Sequence, residues 1–124
     1  MRFLLLIHID PALYNALPAA TADALMRDCL AHADQLRADG KLLDSQQLEA
    51  PASARTARER DGVMRWSDGP FAETKEFLAG FNLIEAADLA EATRIALSFP
   101  WARLGSIEVR PVRDIEAVRR RVAA

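Results

Sequence analysis

Asp68, Glu73 and Lys75 stand within one nine-residue run, Asp68-Gly69-Pro70-Phe71-Ala72-Glu73-Thr74-Lys75-Glu76. Carboxylates and an ammonium set this closely, just before an apolar strand, can hold a small polar ligand by charge-assisted hydrogen bonds. Asp68 and Lys75 are the residues expected at the mouth of a cleft between helix and sheet, with Glu73 beside them. A structural role competes with this one. Asp68 can cap the turn at Gly69-Pro70, the proline ring fixes φ, and Phe71 can pin the loop to the core. Exposed ion pairs contribute only about 0–1 kcal/mol each, so stability alone is a weak reason for four charges here.

Two other side chains could join such a site. His8 alternates to the face opposite Ile7 and Ile9, where it is either a satisfied histidine at a sheet or dimer face or an acid/base in a pocket between subunits. Arg110 can bind an anion, although pairing with Glu108 is its simpler role. If the protein is an enzyme, Asp68 or His8 carries the acid/base step. His32 reads as a helix-surface residue. The single cysteine, Cys29, reads as a small buried apolar residue among Leu25, Met26, Ala33 and Leu36, and one cysteine allows no disulfide within the chain. Trp66 and Trp101 are expected to fill the core or an interface. No metal ligand spacing, Ser-His-Asp spacing, GxGxxG or phosphate loop is present, so neither a metal nor a cofactor is expected.

The elements that must position these groups follow from periodicity. Residues 2–9 are apolar at nearly every position, which predicts a central strand covered on both faces; Asp10-Pro11 ends it. Residues 20–39 predict a helix capped by Thr21, with Ala22, Leu25, Cys29, Ala33 and Leu36 along one face and Gly40 as terminator. A weaker strand covers 41–49. Residues 54–60 and 63–67 flank Asp61-Gly62, a two-residue hairpin signal, and the arginine-rich first arm should be exposed. Residues 77–85 predict a strand in which Gly80 admits a close neighbour. A second helix over 88–98 starts with Asp88 and Glu91 and carries Leu89, Ala92, Ala96 and Phe99 inward. Residues 106–112 predict the last strand and 113–122 a short terminal helix.

Two strand-helix-strand units in tandem predict an α+β ferredoxin-like sandwich with an inserted β-hairpin, in one domain over residues 1–124. Both helices must then cover one sheet face. The other face carries apolar residues of the first strand, and an exposed apolar face is an interface. A homodimer with sheets packed face to face is the expectation. The chain has 124 residues and a formal net charge of −2. That leaves no broad basic surface for nucleic acid. No apolar run reaches the ~20 residues that cross a bilayer, and the short apolar start is followed at once by Asp10-Pro11. No membrane association is expected, and the cytoplasm is the default location.

These residues resemble the DGPF-domain, or YCII-related, family nearly end to end. The likeness rests on Phe3-Leu4-Leu5-Leu6-Ile7, the 68–76 run, Gly80-Phe81 with Leu83-Ile84-Glu85, Asp88-Leu89 with Glu91-Ala92, and residues 107–112. The resemblance implies a dimeric α/β-barrel fold of ferredoxin-like type. One branch of the family carries a histidine on the first helix and an aspartate just before a proline after the second. Those positions hold Cys29 and Phe99 here, so that pair is not carried over. Other members are encoded beside, or fused to, extracytoplasmic-function sigma factors. The first functional expectation is therefore a small-molecule-binding protein or cofactor-independent enzyme, with a pocket near the 68–76 loop. The alternative is a regulatory protein that acts with a sigma factor.

Overall fold

The structure is a computed structural model and describes residues 1–123. The chain runs β1 (Arg2–Ile9), α1 (Pro11–Asn15), α2 (Ala19–Ala38), β2 (Leu42–Gln47), β3 (Arg55–Arg60), β4 (Val63–Asp68), β5 (Phe77–Glu85), α3 (Leu89–Leu97), β6 (Gly105–Pro111) and α4 (Ile115–Val122). It is a mixed α+β fold with antiparallel sheets. The main sheet has the order β2-β5-β1-β6, and β3 and β4 form a separate two-stranded ribbon.

The alternation of β1 sets the layers. Phe3, Leu5, Ile7 and Ile9 are buried, because successive strand side chains point to opposite faces and this set meets the helices. They form one core with Cys29, Ala33 and Leu36 of α2 and with Ala92, Ile95 and Ala96 of α3. Ile84 of β5 is fully buried beside them. The other sheet face carries Leu4, Leu6, Phe81 and Leu83, half-buried, and an exposed Leu78. Register puts Leu4 opposite Leu83 and Leu6 opposite Phe81. On the β6 side this apolar stripe is bordered by Glu108 and Arg110, and on the β2 side by Asp44.

Local chemistry accounts for most boundaries. Asp10 Oδ1 accepts from Ala12 N at 2.9 Å, so the residue that ends β1 also caps α1. Asp88 Oδ1 accepts from Glu91 N at 2.8 Å and starts α3. The hairpin turn has positive φ at both Asp61 and Gly62, as the dipeptide predicts. Gly80 is required by space. A Cβ there would lie 2.6 Å from the Gln46 carbonyl oxygen of β2, where nothing can yield but backbone.

Several expectations need correction. Helix α1 lies where only a strand end was expected. Pro18, and not Thr21, precedes α2; the proline is pre-set for a helix start, and Thr21 falls inside the first turn. Leu89 is 53% exposed, while Ile95 joins the core in its place. Trp66 is 60% exposed, because β3 and β4 stand off the main sheet and bury no face; Trp101 is buried, as expected. Phe71 is 78% exposed and pins nothing. The turn around Gly69 is held instead by hairpin bonds, with Gly69 N donating to Ala54 O (2.7 Å) and Thr56 Oγ1 donating to Gly69 O (2.9 Å).

Candidate functional site

A cavity of about 290 Å³ lies between α2 and the helix-covered face of the sheet. Its floor is Ile7 and Ile9 of β1 with Ala79 and Asn82 of β5. Met26, Cys29 and Ala33 of α2 form the roof. Tyr14, Phe77, Phe99 and Trp101 close its sides. The cavity exists because α2 presents small side chains to the centre of the sheet. Cys29 and Ala33 lie one turn apart on its inner stripe, and a small roof over a strand glycine leaves volume that a leucine pair would fill.

No aspartate, glutamate, lysine, arginine or histidine lines this space. Its polar groups are neutral: Ser45, Gln46 and Gln47 of β2, Asn82 of β5, the Tyr14 hydroxyl and the Cys29 thiol. Asn82 is only 3% exposed, and Ser45 Oγ donates to its Oδ1 at 2.5 Å. Burial pushes the Cys29 thiol above its ordinary pKa, with the Trp101 side chain opposing in part. A thiol held protonated is a poor nucleophile, so this one acts as a small wall residue.

The charged residues named from sequence fall elsewhere. Asp68 ends β4 with its side chain 95% exposed, 3.7 Å from Arg55 Nε. It makes no side-chain hydrogen bond to the Gly69-Pro70 turn among the described residues, so the expected cap gives way to the hairpin's backbone bond. Glu73 is exposed. Lys75 Nζ lies 3.8 Å from Asp10 Oδ2 with its own side chain 85% exposed. Arg110 Nε pairs with Glu108 Oε2 at 2.9 Å, and His8 Nε2 lies 3.8 Å from Glu108 Oε1. The structure thus joins His8, Glu108 and Arg110 on the open sheet face, and it brings neither Asp68 nor Glu73 to them. None of Asp68, Glu73, Lys75, Arg110 or His8 lines the cavity. This cavity therefore lies apart from the 68–76 loop: the loop follows a separate two-stranded ribbon, and Phe77, the residue after its last glutamate, stands on the cavity wall.

Cys29 and Phe99 both line the cavity. These are the positions at which one branch of the family carries a histidine and an aspartate, a pair not expected here. Here one is a protonated thiol and the other a hydrocarbon ring, so a proton-transfer pair is missing from the wall. His32, one turn along α2, faces a second hollow of about 460 Å³ bordered by Asp28, Ser98 and Arg103. Its Nε2 is 2.6 Å from Ser98 Oγ, and Ser98 in turn donates to Ile95 O at 2.5 Å. The ring packs edge-on against Phe99 at 5.0 Å. His32 therefore ties α2 to the end of α3. No group of three or more His, Cys, Asp or Glu is arranged to hold a metal among the described residues. No helix among them is long and apolar enough to cross a membrane.

Asn82 was missed from sequence, although a signal existed. It is the one polar residue between Phe77 and Ile84, and it shares a strand face with Ile84.

Three comparisons place the chain among known proteins. A solved structure, 5-chloro-2-hydroxyhydroquinone dehydrochlorinase from Burkholderia phenoliruptrix AC1100 in complex with 2,5-dihydroxybenzoquinone, superposes with a TM-score of 0.53 at 16% identity. The match covers 91% of this chain and 94% of that one; at this identity it speaks for the fold alone. An uncharacterized protein of Rhizobium meliloti (strain 1021) is 38% identical over 114 residues, 90% of this chain and 92% of the relative. The model of the YCII-related domain matches residues 1–116. With a family match over nearly its whole length and a relative this similar, the chain belongs to the YCII-related domain family.

Proposed function

We propose that this protein binds a small, uncharged, largely apolar molecule in the cavity between α2 and the sheet. The single observation behind this reading is that a cavity of about 290 Å³ is lined without one charged side chain. A carboxylate or phosphate entering it would lose its hydration with no ion to replace it, a cost of several kcal/mol. An uncharged ring loses little and gains by leaving water. Size narrows the class. A cavity of about 150 Å³ holds benzene, so this one suits a substituted single ring or a compact bicycle. The 2,5-dihydroxybenzoquinone bound by the fold neighbour is a single ring of that size, though an acidic one.

Binding without turnover is the form of the reading that the wall supports. With Cys29 held protonated by burial and no carboxylate or imidazole on its wall, the cavity lacks a general base of ordinary strength near neutral pH. The test is thermal unfolding with matched pairs of aromatic alcohols or ketones and their carboxylate analogues. Uncharged members should raise the midpoint, by about 2.7 kcal/mol of stability at 100 times Kd. Stabilisation by the carboxylates alone would overturn the reading.

The domain is proposed to be a ferredoxin-like sandwich that works as a homodimer. An apolar stripe of Leu4, Leu6, Phe81 and Leu83 bordered by His8, Glu108, Arg110 and Asp44 has the make-up of an interface, apolar at its centre and polar at its rim. Light scattering that gave single subunits at micromolar concentration would remove it. A second reading, a regulatory protein partner such as a sigma factor, draws on the ribbon. A two-stranded ribbon alone is marginal in water, and this one exposes Val63, Met64, Trp66 and Phe71 nearby. Co-purification that survives Trp66→Ser would count against it.

A further inference from the structure

Asn82 has a feature that the packing of the core does not explain. It sits in the middle of β5 with 3% of its surface exposed, and it lines the cavity together with Ile7, Ala79 and Phe99. Its Oδ1 is engaged by Ser45 Oγ, and register sets the two residues opposite each other across β2 and β5. Its Nδ2 has no protein partner among the described residues. No sealed side-chain nitrogen or oxygen lacks a partner among them, so Nδ2 reaches the cavity that Asn82 lines. The amide is a donor fixed at one end and free at the other.

We propose, building on the binding reading above, that Asn82 is the specificity-determining residue of the cavity and that its ligand carries an acceptor oxygen, a carbonyl or ring oxygen, against Nδ2. An amide donor turned into a mostly apolar cavity is costly unless an acceptor meets it, and a leucine would fill the same space without that cost. The donor is satisfied when an oxygen meets it. Ser45 supports the geometry, since its hydroxyl holds Oδ1 and turns the NH₂ outward; it is a positioning residue. Other donors line the cavity, but the Trp101 side chain is hydrogen-bonded to the Cys29 thiol and Gln47 Nε2 donates to Met26 Sδ at 3.2 Å, whereas Asn82 Nδ2 is an amide donor held in place by a neighbouring hydroxyl. A ligand with one oxygen on an otherwise apolar ring is oriented by this donor. The same ring without oxygen leaves Nδ2 unmet and is discriminated against.

The experiment uses two pairs of compounds that differ by a carbonyl oxygen, α-tetralone against tetralin and acetophenone against ethylbenzene. Trp101 lines the cavity and Trp66 is exposed, so quenching is read in a Trp66→Phe background where Trp101 alone reports. The ketone should bind roughly tenfold or more tightly than its hydrocarbon. Asn82→Leu should bring that ratio to about one while the hydrocarbon binds at least as well as before. Ser45→Ala should lower the ratio without abolishing ketone binding, and it carries the test if Asn82→Leu fails to fold. Equal binding of ketone and hydrocarbon to the parent protein would overturn the assignment while leaving the cavity reading intact, as would an unchanged ratio in Asn82→Leu. Absence of binding by all four compounds would overturn both.

Discussion

Filling the cavity from its roof separates a binding site from a packing defect. Ala33 lies on the inner stripe of α2, 8% exposed, and its side chain borders the open volume. Ala33→Leu adds three carbons there. At about 0.8 kcal/mol per buried CH₂, the gain approaches about 2 kcal/mol if the carbons enter empty space. If the space is filled or rigidly shaped, overpacking costs about 1–3 kcal/mol instead. The helix itself is almost indifferent, since both residues are strong helix formers. For a 124-residue chain, an unfolding entropy near 2.1 cal/mol/K per residue makes each kcal/mol worth about 4 °C. The expected outcome is a midpoint up to about 8 °C higher by calorimetry, with affinity for an uncharged ring reduced at least tenfold by titration of Trp101 fluorescence. A stabilised protein that no longer binds is what a cavity kept open for a ligand gives, because function and packing then compete for one volume. A midpoint that falls by several degrees would refute the claim that this volume is open. Unchanged binding in a stabilised variant would refute the claim that the ligand sits there.

Four further outcomes are expected. Cys29 should react slowly with iodoacetamide at neutral pH, because burial raises its pKa; the rate should climb above the ordinary thiol range and fall when a ligand occupies the cavity. The same shift fixes a sign in stability, since the unfolded chain releases this proton first. The contribution is complete below the unfolded pKa and is lost as pH rises through the folded one, so chemical denaturation of wild type and Cys29→Ala should diverge only at alkaline pH. Gly80→Ala should destabilise by about 1–3 kcal/mol in urea titrations, since its Cβ would meet the Gln46 carbonyl oxygen at 2.6 Å; a neutral result would mean that β2 and β5 are less closely paired. Asp88→Ala should cost about 1 kcal/mol by the same measurement through loss of the cap on Glu91 N, and Asp88→Asn should restore most of it.

The sequence by itself determined most of the elements and their order, α1 excepted. Continuous apolarity placed β1 at the centre, Asp61-Gly62 made the hairpin, Asp88 started α3, and Gly80 announced a close neighbour, because each of these is a property of residues adjacent in the chain. The family was legible for the same reason, its signature being one contiguous run. Tertiary structure alone decided the cavity. Cys29, Ser45 and Asn82 belong to α2, β2 and β5, Phe99 and Trp101 to the turn after α3, and no local pattern records that they surround one volume. The charges of residues 68–76 drew attention in sequence because charge is conspicuous there, yet the ribbon carries Asp68 into solvent and away from the cavity. Asn82 was quiet in sequence, a lone amide in an apolar strand. Only the packing of α2 over β5 turns it into a buried donor facing open space, since burial is a property of what lies opposite a residue and not of its neighbours in the chain.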